Sequence, residues 1–152
     1  MKNLLFVCTG NTCRSSMAEA LARQEACIAG LEGWQFSSAG LMAVEGSPAS
    51  LNAQKAVREF GLELASHRAR PLNPELLEAA DLVLTMTGAQ RGSLLEQVPS
   101  VAAKVHTLYE FAFGTTQDIR DPYGWELVIY RKTANEIRNA VKRIVTKLAE
   151  GV

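Results

Sequence analysis

The chain has 152 residues, 47% of them hydrophobic and 21% charged, with 16 basic residues set against 16 acidic ones. That length suits one domain with a full hydrophobic core. The zero net charge argues against a general nucleic-acid or anionic-membrane binder, which carries a basic excess.

Leu4, Leu5, Phe6 and Val7 form a short continuous apolar run, the pattern of a strand buried on both faces. With Cys8 the run is too short for a signal-peptide core or a membrane span, so a cytoplasmic location with reduced thiols is expected. A polar loop follows, and Ser15 or Ser16 then caps a helix with Met17, Leu21 and Ile28 on one face and Gly30 near its end. Residues 34–38 alternate weakly and stop at Gly40, a second strand. Ser47 and Pro48 open another helix whose face includes Leu51, Ala56 or Val57, and Phe60, with Gly61 closing it. Residues 74–80 read as a short helix, 81–86 as a third buried strand and 93–97 as helical. Residues 105–108 make a short fourth strand, followed by a long loop through Trp125. The chain closes with an amphipathic helix in which Ile137, Val141, Ile144, Val145 and Leu148 recur at helical spacing.

Strands alternating with helices imply an α/β fold, a single domain over residues 1–152. Its core is a four-stranded parallel sheet with helices on both faces. In such sheets ligands bind at the carboxyl ends of the strands, where the loop after strand 1 sits. That loop, with Cys8 and Arg14 at its two ends, matches neither nucleotide-binding fingerprint: no Gly-Lys-Ser/Thr ending follows, and Gly10 is its one glycine. Its backbone N–H groups can instead curl inward and meet a helix N-terminus, a cradle for a tetrahedral oxyanion. Arg14 can grip two phosphate oxygens, and the same positive field favours a thiolate at Cys8, aligned for attack on phosphorus. Gly10 allows close backbone approach, and Asn11 can brace the loop against its own backbone. An acid for the leaving group is available at Asp121, followed by Pro122, Tyr123 and Gly124. Asp118 reads as turn chemistry. Cys8, Cys13 and Cys27 lack metal-ligand spacing and His67 and His106 lie far away, so no metal and no cofactor is expected. Cys27, on the first helix, is expected to be a core residue.

VCTGNTCRSSMAEA at residues 7–20 with DPYG at 121–124 resembles the low-molecular-weight protein phosphatases. SSAG at 37–40, GSP at 46–48, HRAR at 67–70 and DLVLTM at 81–86 extend the resemblance over nearly the full chain. It implies that Cys8 is the nucleophile, Arg14 the phosphate ligand, and Asp121 the general acid and later the base that hydrolyses phosphocysteine. It implies further that Asn11, Ser38 and His67 form the network holding the loop, and that Ser15 donates a hydrogen bond to the Cys8 sulfur. Thr9, Gly10, Asn11, Thr12, Cys13, Ser15 and Tyr123 complete the substrate and phosphate site. Partners would be phosphorylated proteins, with no nucleic acid and no membrane; the sequence does not fix the oligomeric state, and a monomer would satisfy it.

Phosphotyrosine members of this family commonly carry Leu and Ile where this chain has Thr9 and Thr12, whereas its protein-arginine phosphatases carry the two threonines. The resemblance therefore implies phosphoarginine as substrate, with phosphotyrosine the alternative. A hydroxyl can hydrogen-bond a phosphoguanidinium, and an unpaired polar group disfavours the wrong substrate; Tyr123 suits a ring or a guanidinium alike. Ser16 and Leu41 depart from the proline and threonine frequent in the family. Arsenate reductases of this fold need two further cysteines between residues 85 and 93, and none is there. A silent phosphoprotein-binding module would lack Cys8 or Asp121. The short gap between Cys8 and Cys13 adds the expectation of a peroxide-sensitive pair.

Overall fold

In a computed structural model describing residues 1–151, the first apolar run becomes β1 (Lys2–Cys8), buried from Leu4 onward. It is followed by α1 (Arg14–Ala29), β2 (Trp34–Gly40), α2 (Leu51–Arg58), α3 (Pro74–Ala79) and β3 (Leu82–Thr85). Then come α4 (Gly88–Gln97), a 3-10 turn (Pro99–Lys104), β4 (Val105–Thr107), α5 (Leu108–Phe113) and α6 (Leu127–Ala149). The four strands form one parallel sheet in the order β2-β1-β3-β4. Alternate residues of β1 serve opposite cores. Leu4, Phe6 and Cys8 join residues of α1, α2, α5 and α6, while Leu5 and Val7 join Leu77 of α3 and Leu94 of α4. Helices thus cover both faces, as the sequence implies. β1 also pairs with β2 on one side and β3 on the other, so the strand order reverses at its carboxyl end, the crevice where such sheets bind ligands.

Several local expectations are corrected. Neither Ser15 nor Ser16 caps α1, which starts at Arg14 after Cys13 with no side-chain cap; the Ser16 hydroxyl instead donates back to the Cys13 carbonyl at 2.8 Å. Ile28 shares the helical face of Met17 and Leu21 yet is 72% exposed, while Ala26 is the residue of the last turn that reaches the core. Cys27 points off that face and is exposed, so it is no core residue. The second helix starts at Leu51, not at Ser47 and Pro48. Pro48 bridges Arg68 while Ala69 N–H donates to the Ser47 carbonyl, which holds this stretch extended until Ser50 caps the helix through Ala53 N–H. Its buried face is Ala53, Ala56 and Val57, and Leu51 is exposed.

The fourth strand ends at Thr107, whose hydroxyl caps α5, so Leu108 is helical and the expected long loop begins with α5. α4 starts before residue 93, at Gly88, because Thr87 and Gln90 form a capping box. The amphipathic reading of α6 holds, with Ile137, Val141, Ile144, Val145 and Leu148 all buried.

The outer edge of β2 is capped by side chains. Arg23 Nη2 donates to the Phe36 carbonyl at 3.0 Å and Arg70 Nε to the Ser38 carbonyl at 2.9 Å. Beyond them, Gly40 N–H donates to the Arg70 carbonyl and Leu72 N–H to that of Gly40. Gly40 also runs tight against the loop after β1. A Cβ there would stand 2.7 Å from the Thr9 carbonyl oxygen and 3.0 Å from Asn11 N. Among the described residues, no helix is long and apolar enough to cross a membrane.

Candidate active site

Cys8 ends β1 with its side chain buried, and the five residues between it and Arg14 turn back toward the helix N-terminus. The turn depends on Asn11, whose φ of 58° is the one positive value at a non-glycine position among the described residues. Asparagine tolerates that conformation better than most residues. Both ends of its amide are committed. Oδ1 accepts from Arg70 N–H at 3.1 Å and Nδ2 donates to Ser15 Oγ at 2.8 Å, rather than bracing its own backbone as the sequence led us to expect. The Asn11 carbonyl accepts from His67 Nε2 at 2.7 Å. Ser38 does not touch the loop. Its hydroxyl donates to Glu19 Oε1 at 2.7 Å, and only its carbonyl, through Arg70, connects to Asn11. Gly10 has an ordinary φ, and a Cβ there would meet Thr12 Oγ1 at an unstrained 3.6 Å. The glycine that close backbone packing requires is Gly40.

These bonds fix which hydrogens face the sulfur. Because Ser15 Oγ accepts from Asn11, its own proton is free for Cys8 Sγ, 2.9 Å away. Asn11 N–H adds a second donor at 3.3 Å. Two donors on one sulfur, beside the N-terminus of α1, suit a thiolate.

Arg14 is 4% exposed. Its Nη1 donates to the Ile119 carbonyl at 2.9 Å and Nη2 stands 3.6 Å from Asp121 Oδ2, while Nε is buried without a partner. An unpaired buried guanidinium donor is costly unless a ligand meets it. Ile119 N–H in turn donates to the Met86 carbonyl, so the loop bearing Asp121 is tied to the end of β3. Asp121 is half exposed and its Oδ1 accepts from Tyr123 N–H at 3.1 Å. Asp118 points elsewhere, accepting from Gly88 N–H at the start of α4.

Cys8, Thr9, Gly10, Thr12, Cys13, Arg14, Asp121 and Tyr123 line one cleft of about 220 Å³. Asn11, Ser15 and His67 lie behind the loop as supports. Cys13 Sγ is 3.4 Å from Ser50 Oγ and 3.5 Å from the Tyr130 hydroxyl. Burial pushes the Tyr130 phenol up to about 12. Arg70, Tyr130, Ser50 and Gln90 were not singled out by the sequence. For Gln90 a signal existed, the Thr87-x-x-Gln90 spacing of a capping box; Arg70 lies within the HRAR motif, though no role was read from it.

A family model described as low molecular weight phosphotyrosine protein phosphatase matches residues 3–152. The chain is 41% identical to a protein-arginine-phosphatase of Geobacillus stearothermophilus over 145 residues, 95% of each chain. It superposes on the low molecular weight protein tyrosine phosphatase of T. tengcongensis with a TM-score of 0.92 and 42% identity, covering 97% of this chain and 99% of that one. A mutant YwlE arginine phosphatase with a phosphorylated active-site serine gives a TM-score of 0.95 and 37% identity, over 98% of this chain and 97% of that one.

Proposed function

Because the chain belongs to the low molecular weight phosphotyrosine protein phosphatase family, we propose that residues 1–152 are one phosphatase domain that dephosphorylates proteins through a phosphocysteine at Cys8. Phosphoarginine is its preferred substrate and the cytoplasm its place of action. The observation that carries the reading is the buried, unpaired Arg14 Nε beside a sulfur that already receives two hydrogen-bond donors. That pairing suits an anion under attack, whose oxygens can take the donor that the protein leaves unpaired.

In this mechanism the phosphoryl oxygens take the loop N–H groups and Arg14. The Cys8 thiolate forms the S–P bond in line as the P–N bond breaks. Asp121, in the same cleft, gives its proton to the leaving nitrogen. Its carboxylate then takes a proton from the water that attacks phosphorus, the S–P bond breaks, and Cys8 returns to thiolate as phosphate leaves. Thr9 and Thr12 line the cleft, and their hydroxyls can pair with a phosphoguanidinium. One observation favours phosphotyrosine as a second reading. Tyr123 stands 70% exposed at the rim, a face on which a phenyl ring can stack.

Phosphate release from phosphoarginine and phosphotyrosine peptides, measured side by side, separates the two. Cys8→Ser should abolish turnover on both while still binding inorganic phosphate. Near-normal turnover in that variant would overturn the mechanism.

A further inference from the structure

Gln90 lies outside the cleft, yet it is buried and its side chain reaches the residue that follows the nucleophile. Its Oε1 accepts from Met86 N–H at 3.0 Å and from Thr87 N–H at 3.1 Å. Backbone N–H groups can only donate, so the oxygen must face them and the amide nitrogen must face Thr9. Nε2 then donates to Thr9 Oγ1, 3.1 Å away. A hydroxyl that accepts on one side has its single proton left for another. Thr9 lines the cleft, so that proton is available to whatever occupies it.

We propose that Gln90 is a positioning residue that turns the Thr9 hydroxyl into a hydrogen-bond donor toward the phosphoryl group. The inference rests on the phosphatase reading above. Gln90 is well placed to do this rigidly. Its two backbone partners are Met86, which follows β3, and Thr87, which caps α4; Met86 is also the residue whose carbonyl holds Ile119, the anchor of Arg14. One hydrogen-bonded chain therefore runs from Thr9 through Gln90, Met86 and Ile119 to Arg14, fixing the loop's two ends relative to each other.

The test is a double-mutant cycle on the full chain with two readouts, kcat/KM on phosphopeptide and the dissociation constant of inorganic phosphate. Gln90→Met removes the donor, and Thr9→Val removes the hydroxyl. Each should weaken both readouts about tenfold, the size of one lost hydrogen bond to a charged group. The double variant should be no worse than Thr9→Val. Gln90→Glu keeps an acceptor for Met86 and Thr87 but forces the Thr9 proton away from the cleft. Its loss of phosphate affinity should shrink in a Thr9→Val background, where a mere charge effect would persist in full. Additive losses, or a Gln90→Met effect confined to Tm with phosphate affinity intact, would reduce Gln90 to a helix cap. An inactive wild type would instead strike at the phosphatase reading itself.

Discussion

His67 Nε2 sits 2.7 Å from the carbonyl oxygen of Asn11, so the ring must carry its hydrogen on that nitrogen. The bond pins the one strained residue of the loop from behind. His67→Ala should lower phosphate affinity and kcat/KM together, by up to about tenfold, because the cradle loosens while every group touching phosphate remains. Phosphate inhibition equal to wild type would show that Asn11 holds its conformation unaided.

The two aspartates of the C-terminal loop should part company. Asp121→Asn should slow turnover by about 10²–10⁴-fold, most steeply for substrates with poor leaving groups. Asp118→Asn weakens a bond to Gly88 N–H at the start of α4, so it should lower the melting temperature with a much smaller kinetic effect. The opposite pattern in steady-state rates would mean the acid has been misassigned.

Thr12→Ile should depress activity on phosphoarginine and spare or raise it on phosphotyrosine. Thr12 lines the cleft, and its hydroxyl makes only a weak 3.8 Å contact to Cys13 Sγ. Equal losses on both substrates would make Thr12 a loop support and leave selectivity to other residues.

Peroxide should inactivate the enzyme reversibly. Oxidation of the Cys8 thiolate gives a sulfenic acid, and attack by the Cys13 thiol expels water and forms a disulfide that a dithiol reopens. Cys13 lines the same cleft as Cys8, with its sulfur buried beside Ser50 and Tyr130. Cys13→Ser should therefore recover poorly after peroxide, and mass spectrometry of oxidised wild type should show one Cys8–Cys13 link. Full recovery of Cys13→Ser would leave Cys13 as packing.

Tyr130 gives the fold an alkaline limit. Burial raises its pKa to about 12, above the unfolded value of 10, so between those values the unfolded chain has already lost the proton that the folded one keeps. Stability is then fully present below pH 10 and falls as pH rises toward 12. Denaturant midpoints measured from pH 9 to 11 should decline for wild type and decline less for Tyr130→Phe; parallel curves would count against this assignment.

The elements that carry period were readable in the sequence. β1 announced itself as a continuous apolar run and α6 through five apolar positions at helical spacing. What escaped lacked period. α5 is six residues long, and the glycines at 88 and 92 masked the start of α4. In the site, the groups in the cleft were legible because loop chemistry demands particular side chains at short spacing. Of their supports, Asn11, Ser15 and His67 were legible through the family resemblance; Arg70 and Tyr130 were not, since they reach the loop from 59 and 117 residues away through contacts that only the fold creates. Ser38 shows the converse. The family resemblance implied a place in the loop network, yet its hydroxyl is taken by Glu19.

The capped edge of β2 has a consequence for the protein's behaviour in a crowded solution. A strand from another chain could add to that edge only by displacing Arg23 and Arg70 from the carbonyls they cover. Arg70 also supplies the N–H that orients the Asn11 amide. Aggregation through this edge and loss of the phosphate cradle therefore share one residue. The backbone of that residue serves the loop while its side chain closes the edge of β2.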